Sequence, residues 1–219
     1  MLRMGLDASL FVASLKKVFK KKDYAFFDQN RKYNLNIVGI RNASRRANQF
    51  DDMLAIAYRG FNNAWEVRTY IITTDPGWTY LKNASERYSG RGTAILVPDQ
   101  YRSTYKFGLH GSTKYEALVQ SGDEVGVYRD KNKDNTLDFN RDTIEYGYFG
   151  INIHASSMYP YDLKLNTDRS EKKVNSWSAG CQVFARDVAF RNFMSLCKLS
   201  SQFFGDTFSY TLLEQKDFE

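Results

Sequence analysis

The 219-residue chain holds two cysteines and two histidines, and one pairing among them has the ingredients of nucleophilic chemistry. Cys181 stands in "NSWSAGCQVF" (175–184), behind small residues and ahead of an apolar run. A reactive thiol needs a base to take its proton and donors aimed at the oxyanion formed on the attacked carbonyl. Gly180 gives the backbone before the thiol the freedom to turn amide N–H groups and sulfur toward one substrate atom. His154 ends the apolar run "GINIH", a strand-like scaffold that would hold an imidazole still, and is the candidate base. His110 lies in "GLHGS", a glycine-flanked turn, and reads as a surface or secondary binding residue. Cys197 falls at helical spacing with Phe190, Phe193 and Met194, which makes it a small core residue.

A second cluster carries oxygen chemistry. In "YRDKNKDNTLDFNRD" (128–142), Asp130, Asn132, Asp134 and Asp138 occupy relative positions 1, 3, 5 and 9, the offsets that gather ligands around calcium in EF-hand-type loops. Asn135 takes the sixth position, where glycine is usual, and Arg141 takes the twelfth in place of a bidentate Glu. Two readings stand: a partial structural calcium loop completed by Asp142 or another segment, or an Asp/Asn-rich turn between strands.

The elements that must position these residues are mostly strands. "NLNIVGI" (34–40), "DMLAIAYRG" (52–60) and "AWEVRTYIITT" (64–74) read as strands, the last two joined at "GFNN" as a hairpin. "GTAILVP" (92–98), "ALVQSG" (117–122), "EVGVYRD" (124–130), "FGINIHA" (149–155) and "TFSYTLL" (207–213) are further short strands. Leu10, Phe11, Leu15, Val18 and Phe19 mark one face of an N-terminal helix, capped by Asp7 or Ser9. A second helix follows the Cys181 loop, with Asp187 as its N-cap and Gly205 just past its end. The expectation is a mainly β, α+β protein: an N-terminal helical and strand extension over residues 1–49, packed on a domain over 50–219.

"GINIHAS" followed by "WSAGCQVF" resembles the signature of L,D-transpeptidase catalytic domains, with "MLAIAYRGFNNAWEVRTYIITTDPG" and "GTAILVPDQY" similar to the family's opening hairpin and next strand. The resemblance spans roughly residues 50 to 213. It implies a β-sandwich around a cysteine site and chemistry on peptidoglycan stem peptides through a thioester. It also implies Cys181 as nucleophile, His154 as base, and Ser178, Ala179 and Gly180 as the box whose amides stabilise the oxyanion. No cofactor is implied for catalysis.

The chain departs from the family pattern in three places. Ala179 stands where a second histidine is usual, Gln182 replaces an apolar residue, and His154 lies 27 positions before Cys181, a longer interval than usual. The extra length reads as a lid or insertion. Tyr159 within it, Trp177 and Gln182 are candidates to line a substrate groove, with packing beneath the loop the preferred role for Trp177.

The net charge of +6 favours anionic partners such as an acidic cell-wall polymer. Nucleic acid ranks last, because the run "KKVFKKK" (16–22) comes without any recognition motif and reads as a solvated helix face. No apolar stretch reaches membrane-spanning length, and the first residues lack the charge-then-apolar order of a secretory signal. The expectation is synthesis in the cytoplasm and action at the cell wall by a non-classical or phage-borne route. The rival reading is a catalytically weak or inactive module of the same fold with a structural or wall-binding role, for example in a phage particle. Thiol character separates the two: a depressed pKa suits the enzyme, an inert buried thiol the module.

Overall fold

The computed structural model describes residues 7–83, 90–156 and 171–219. Among these, eight strands close into a barrel: β1 (Asn36–Arg41), β2 (Asp52–Arg59), β3 (Trp65–Thr73), β5 (Gln100–His110), β6 (Tyr115–Gln120), β9 (Ile153–Ala155), β10 (Gln182–Phe184) and β11 (Thr207–Glu214). Three more, β4 (Thr93–Leu96), β7 (Val125–Asp130) and β8 (Glu145–Gly147), form a separate small sheet in the order β4-β7-β8. The protein is therefore mainly β with helices, as the sequence implies. Its large sheet is a closed barrel flanked by a small sheet, where two stacked sheets were expected.

The barrel order is β1-β11-β5-β6-β9-β10-β3-β2. Local hairpins supply β2–β3 and β5–β6, while β1–β11 and β9–β10 are parallel pairs between segments distant in sequence. The segment 1–49 is more than a packed extension, since β1 forms barrel wall between β11 and β2. Its removal would open the sheet and expose two strand edges.

Among the described residues, three α-helices accompany the sheets: α1 (Ala8–Lys21), α2 (Trp78–Lys82) and α3 (Asp187–Phe204). Asp7 caps α1, its Oδ1 accepting the Ser9 and Leu10 amides, and Lys20 and Lys21 sit favourably at the negative end of the dipole. Val12, Leu15, Val18 and Phe19 pack against Val38, Ala57 and Leu213 on the outside of the barrel. Leu10, assigned to that face from the sequence, instead points to solvent at 68% exposure.

Helix α3 presses Phe190, Phe193, Met194 and Cys197 into the core that also holds the barrel-lining Ile72, Ile153 and Phe184. Each of the Phe and Met side chains contributes about 1.5–3 kcal/mol on burial. Gly205 ends α3 with φ of +81°, a conformation glycine adopts without a Cβ penalty. Asp187, expected as the N-cap, is the first helical residue; Arg186 holds the cap position and offers no capping side-chain bond. Its carboxylate still meets the positive end of the helix, accepting the Val188 amide.

Candidate active site

The parallel pairing of β9 with β10 aligns Val183 with His154 and Gln182 with Ile153. Side chains alternate along a strand. Ile153, Ala155 and Phe184 belong to the barrel core, so His154 and its register partner Val183 take the opposite face, the one toward which Cys181 would point if the alternation continued past β10. Cys181 lies one residue before β10 and two before Val183; ideal strand geometry continued to it would set it diagonal to His154 at a Cα separation of about 8 Å. Both are buried, at 9% and 3% exposure.

The sulfur sits in a backbone pocket made by the segment just before β9. Cys181 Sγ donates to the Gly150 carbonyl at 3.4 Å and accepts from the Asn152 amide at 3.4 Å. Gln120 shapes that pocket: its Oε1 accepts three successive amides, from Phe149, Gly150 and Ile151, at 3.0–3.2 Å. Its Nε2 donates to the Asp123 and Gly147 carbonyls. One side chain thereby satisfies the whole turn around the thiol.

Hydrogen bonds fix both imidazole tautomers. His154 Nδ1 lies 2.8 Å from the Ala155 carbonyl, which can only accept, so Nδ1 carries the proton and Nε2 the lone pair. Tyr115 donates its hydroxyl to the same carbonyl at 3.0 Å. His110 stacks on His154 with ring centroids 3.9 Å apart and planes 23° apart. Asn152 Oδ1 accepts the Gln120 amide, which orients the side chain so that its Nδ2 donates to His110 Nδ1 at 3.0 Å. His110 therefore holds its proton on Nε2. It closes β5 and is half-buried in this cluster, where the sequence read it as a surface or secondary binding residue in a glycine-flanked turn.

The resting site is neutral. Burial, then the neighbouring His110, push His154 down to about 3, against the opposing Ala155 carbonyl. Burial raises the Cys181 thiol to about 11, against the Asn152 amide. Burial also lowers His110. In the free protein Cys181 is thus a thiol and His154 a neutral imidazole, with the sulfur bonded to Gly150 and Asn152 rather than to the ring, and no preformed thiolate–imidazolium pair.

The residues before the thiol act as a brace. Ser178 is fully buried; its Oγ accepts the Gly180 amide at 3.1 Å and donates to the Cys181 carbonyl at 2.9 Å. The Gly180 amide, expected to face an oxyanion, is committed to that serine. Gly180 has φ of +123°, and a Cβ there would lie 2.5 Å from the Ala94 carbonyl, so only glycine fits. Ala179 is half-buried. Trp177, read as packing beneath the loop, keeps 37% of its surface exposed. Gln182 lines no groove: it is fully buried, its Oε1 accepting the Tyr210 hydroxyl at 2.7 Å and its Nε2 donating to the Gly180 carbonyl at 3.3 Å. Tyr159 lies outside the described residues.

Asn48 staples the incoming loop. Its Oδ1 accepts the amides of Asn175 and Trp78, and its backbone carbonyl accepts Val174. Gly77, in the turn after β3, donates to the Ser178 carbonyl at 2.8 Å. Asn48→Ala takes the side-chain partner from two amides, exposed at Asn175 and half-buried at Trp78, at a cost of about 0.5–1.5 kcal/mol. The expected result is faster alkylation of Cys181 by iodoacetamide together with a lower melting temperature, followed by intact mass and calorimetry. An unchanged alkylation rate would mean that Asn48 does not hold the loop closed.

In the acidic loop, Asp130 Oδ2 accepts the Asp138 amide, Asn132 Nδ2 donates to Asp138 Oδ2, and Asp134 Oδ1 accepts the Thr136 amide. The four residues read from the sequence as calcium ligands are therefore gathered in one turn. Among the described residues, no group of three or more His, Cys, Asp or Glu side chains is placed to hold a metal ion.

Sequence reasoning missed Gln120, Asn152, Tyr115 and Asn48. Each acts through strand neighbours far away in the chain, and no local pattern carries that information. Comparison with protein-family models, with curated proteins and with solved structures finds no match.

Proposed function

We propose that the chain is a cysteine-dependent acyltransferase or hydrolase of L,D-transpeptidase type, acting on peptidoglycan stem peptides through a thioester on Cys181. The observation that carries the reading is the β9–β10 pairing, which continued by one residue would set Cys181 diagonal to His154, with the His154 Nε2 lone pair unprotonated. In the proposed step, His154 Nε2 takes the thiol proton as sulfur attacks an amide carbonyl of the stem. The C–N bond then breaks, the departing amine receives that proton, and a thioester remains. An amine or water attacks the thioester and restores the thiol. With the Gly180 amide engaged by Ser178, the oxyanion donor within the box is the Cys181 N–H.

The test is incubation with a disaccharide-tetrapeptide from peptidoglycan, followed by intact mass and peptide mapping. An acyl adduct on the Cys181 peptide is expected. No adduct on protein that also fails to release any product would overturn the reading.

A specific observation favours the second reading, an inert wall-binding or structural module: the buried thiol is raised to about 11 and its S–H is held by Gly150. Under that reading the protein binds peptidoglycan sacculi without acylation, and Cys181→Ala binds equally well. Either activity belongs at the cell wall, reached in this proposal by a phage-borne or non-classical route. Among the described residues no helix is long and apolar enough to cross a membrane.

A further inference from the structure

We infer that the turn from Asp130 to Asp138 is a structural calcium site, independent of the thiol chemistry. The observation that points to a ligand is Asp130 itself. It is 1% exposed at the end of β7, and its Oδ1 is buried with no hydrogen-bond partner while Oδ2 holds the Asp138 amide. A buried carboxylate oxygen left unmet is costly, and a hard cation is the partner that satisfies it while leaving Oδ2 in place.

The surrounding atoms match that cation. Asp138 offers its second carboxylate oxygen, with only Arg45 nearby at 3.7 Å, and Asp134 offers the one not used by Thr136. Asn132 Oδ1 accepts the Asp134 amide and keeps a second lone pair. A backbone oxygen is supplied by strand geometry. The chain pairs with residues 45–47 through Ala47 N–H to the Asn135 carbonyl and Leu137 N–H to the Arg45 carbonyl. In an antiparallel bridge of that form the residue between, Thr136, turns its own N–H and carbonyl away from the partner strand. Its N–H meets Asp134 Oδ1, so its carbonyl faces the same side as the acidic side chains.

The three carboxylates are not drawn together in this structure, so the ion itself gathers them, and amide and backbone oxygens with water complete the set. Such a mixed set suits calcium, which accepts six to eight oxygens in flexible geometry, better than magnesium, which demands a near-ideal octahedron. Both ends of the turn are already pinned. Asp130 closes the fully buried strand β7, and Leu137 is buried with its carbonyl held by the Arg45 guanidinium. Asn132 and Asp134 stand exposed at the rim and give the ion a route in. With no Glu at the twelfth position, the affinity falls in the class of extracellular modules, a dissociation constant of about 0.1–1 mM.

The test uses the full chain stripped with a chelator and then given about 10 mM CaCl2, some ten or more times that dissociation constant. Calorimetric titration is expected to show one site, and the melting temperature to rise by a few degrees. Equal MgCl2 should shift it by less than half as much. Asp130→Asn and Asp134→Asn should each abolish the calcium shift, and because the Asp130 change removes an uncompensated buried charge, that variant should fold at least as well as the parent without calcium. No binding heat and no shift in the parent would overturn the inference. So would an equal response to magnesium, or a full calcium shift in Asp130→Asn.

Discussion

Cys181→Ala is expected to abolish acylation by stem peptide altogether, and His154→Gln to slow it by about 10²–10⁴-fold, the usual worth of a positioned general base. The pH profiles separate these roles from a merely structural one. Because burial and His110 hold His154 down at about 3, the imidazole is unprotonated across the whole range from pH 5 to pH 9, and the charge that develops on bound substrate must raise its basicity for it to take the thiol proton. Acylation by the parent should therefore be nearly flat over that range. Without the base, only ionised thiol reacts. With Cys181 raised to about 11, that is about one molecule in ten thousand at pH 7, rising tenfold per pH unit. His154→Gln should accordingly show a rate that climbs with unit slope toward alkaline pH. The measurement is single-turnover acylation followed by intact mass, with circular dichroism to verify folding. A parent profile with the same unit slope would mean that His154 does not deprotonate Cys181, and the proposed mechanism would fail.

Arg41→Met is expected to destabilise the fold by about 3–5 kcal/mol, because removing one partner of a buried pair leaves the other uncompensated. Arg41 is 2% exposed and donates to the carbonyls of Thr74 and Leu96, to Thr74 Oγ1, and to Asp75 at 2.9 Å. It thereby ties β1 to the turn at the end of β3 and to β4, and that turn leads to Gly77 and the Ser178 brace. Burial pushes the Asp75 carboxyl up, with Arg41 pulling it back. A carboxyl that binds its proton more tightly folded than unfolded makes stability fall as pH rises above the ordinary carboxylate range. Without Arg41 that tendency strengthens, so the deficit should be smaller at pH 5 than at pH 8. Urea unfolding at the two pH values reads both effects, and Arg41→Met with Asp75→Asn should recover part of the loss. A deficit below about 1 kcal/mol would show that the buried groups find other partners.

Part of this protein was legible along the chain. Asp7 as a cap, the α1 and α3 stripes, the β2–β3 hairpin and Gly205 past α3 are all set by residues within a few positions of one another, where period and cap chemistry act. Local pattern erred where it had to choose between adjacent positions, as with Asp187 against Arg186, or where a polar residue at a strand position could face either way. Gln182 looked like a groove residue and is a buried strut to Tyr210.

The sequence by itself determined which side chains could react, and that they lie in or beside short strands. Only the tertiary structure decided which strands became neighbours. The β9–β10 and β1–β11 pairings, the stacking of His110 on His154, and the grip of Gln120 and Asn48 on the thiol's surroundings join residues dozens to more than a hundred positions apart. The physical reason is that strand pairing is chosen by closure of the barrel around a shared core, a property of the whole chain. The two-residue alternation within any one strand states which face a side chain takes and is silent about what it will face.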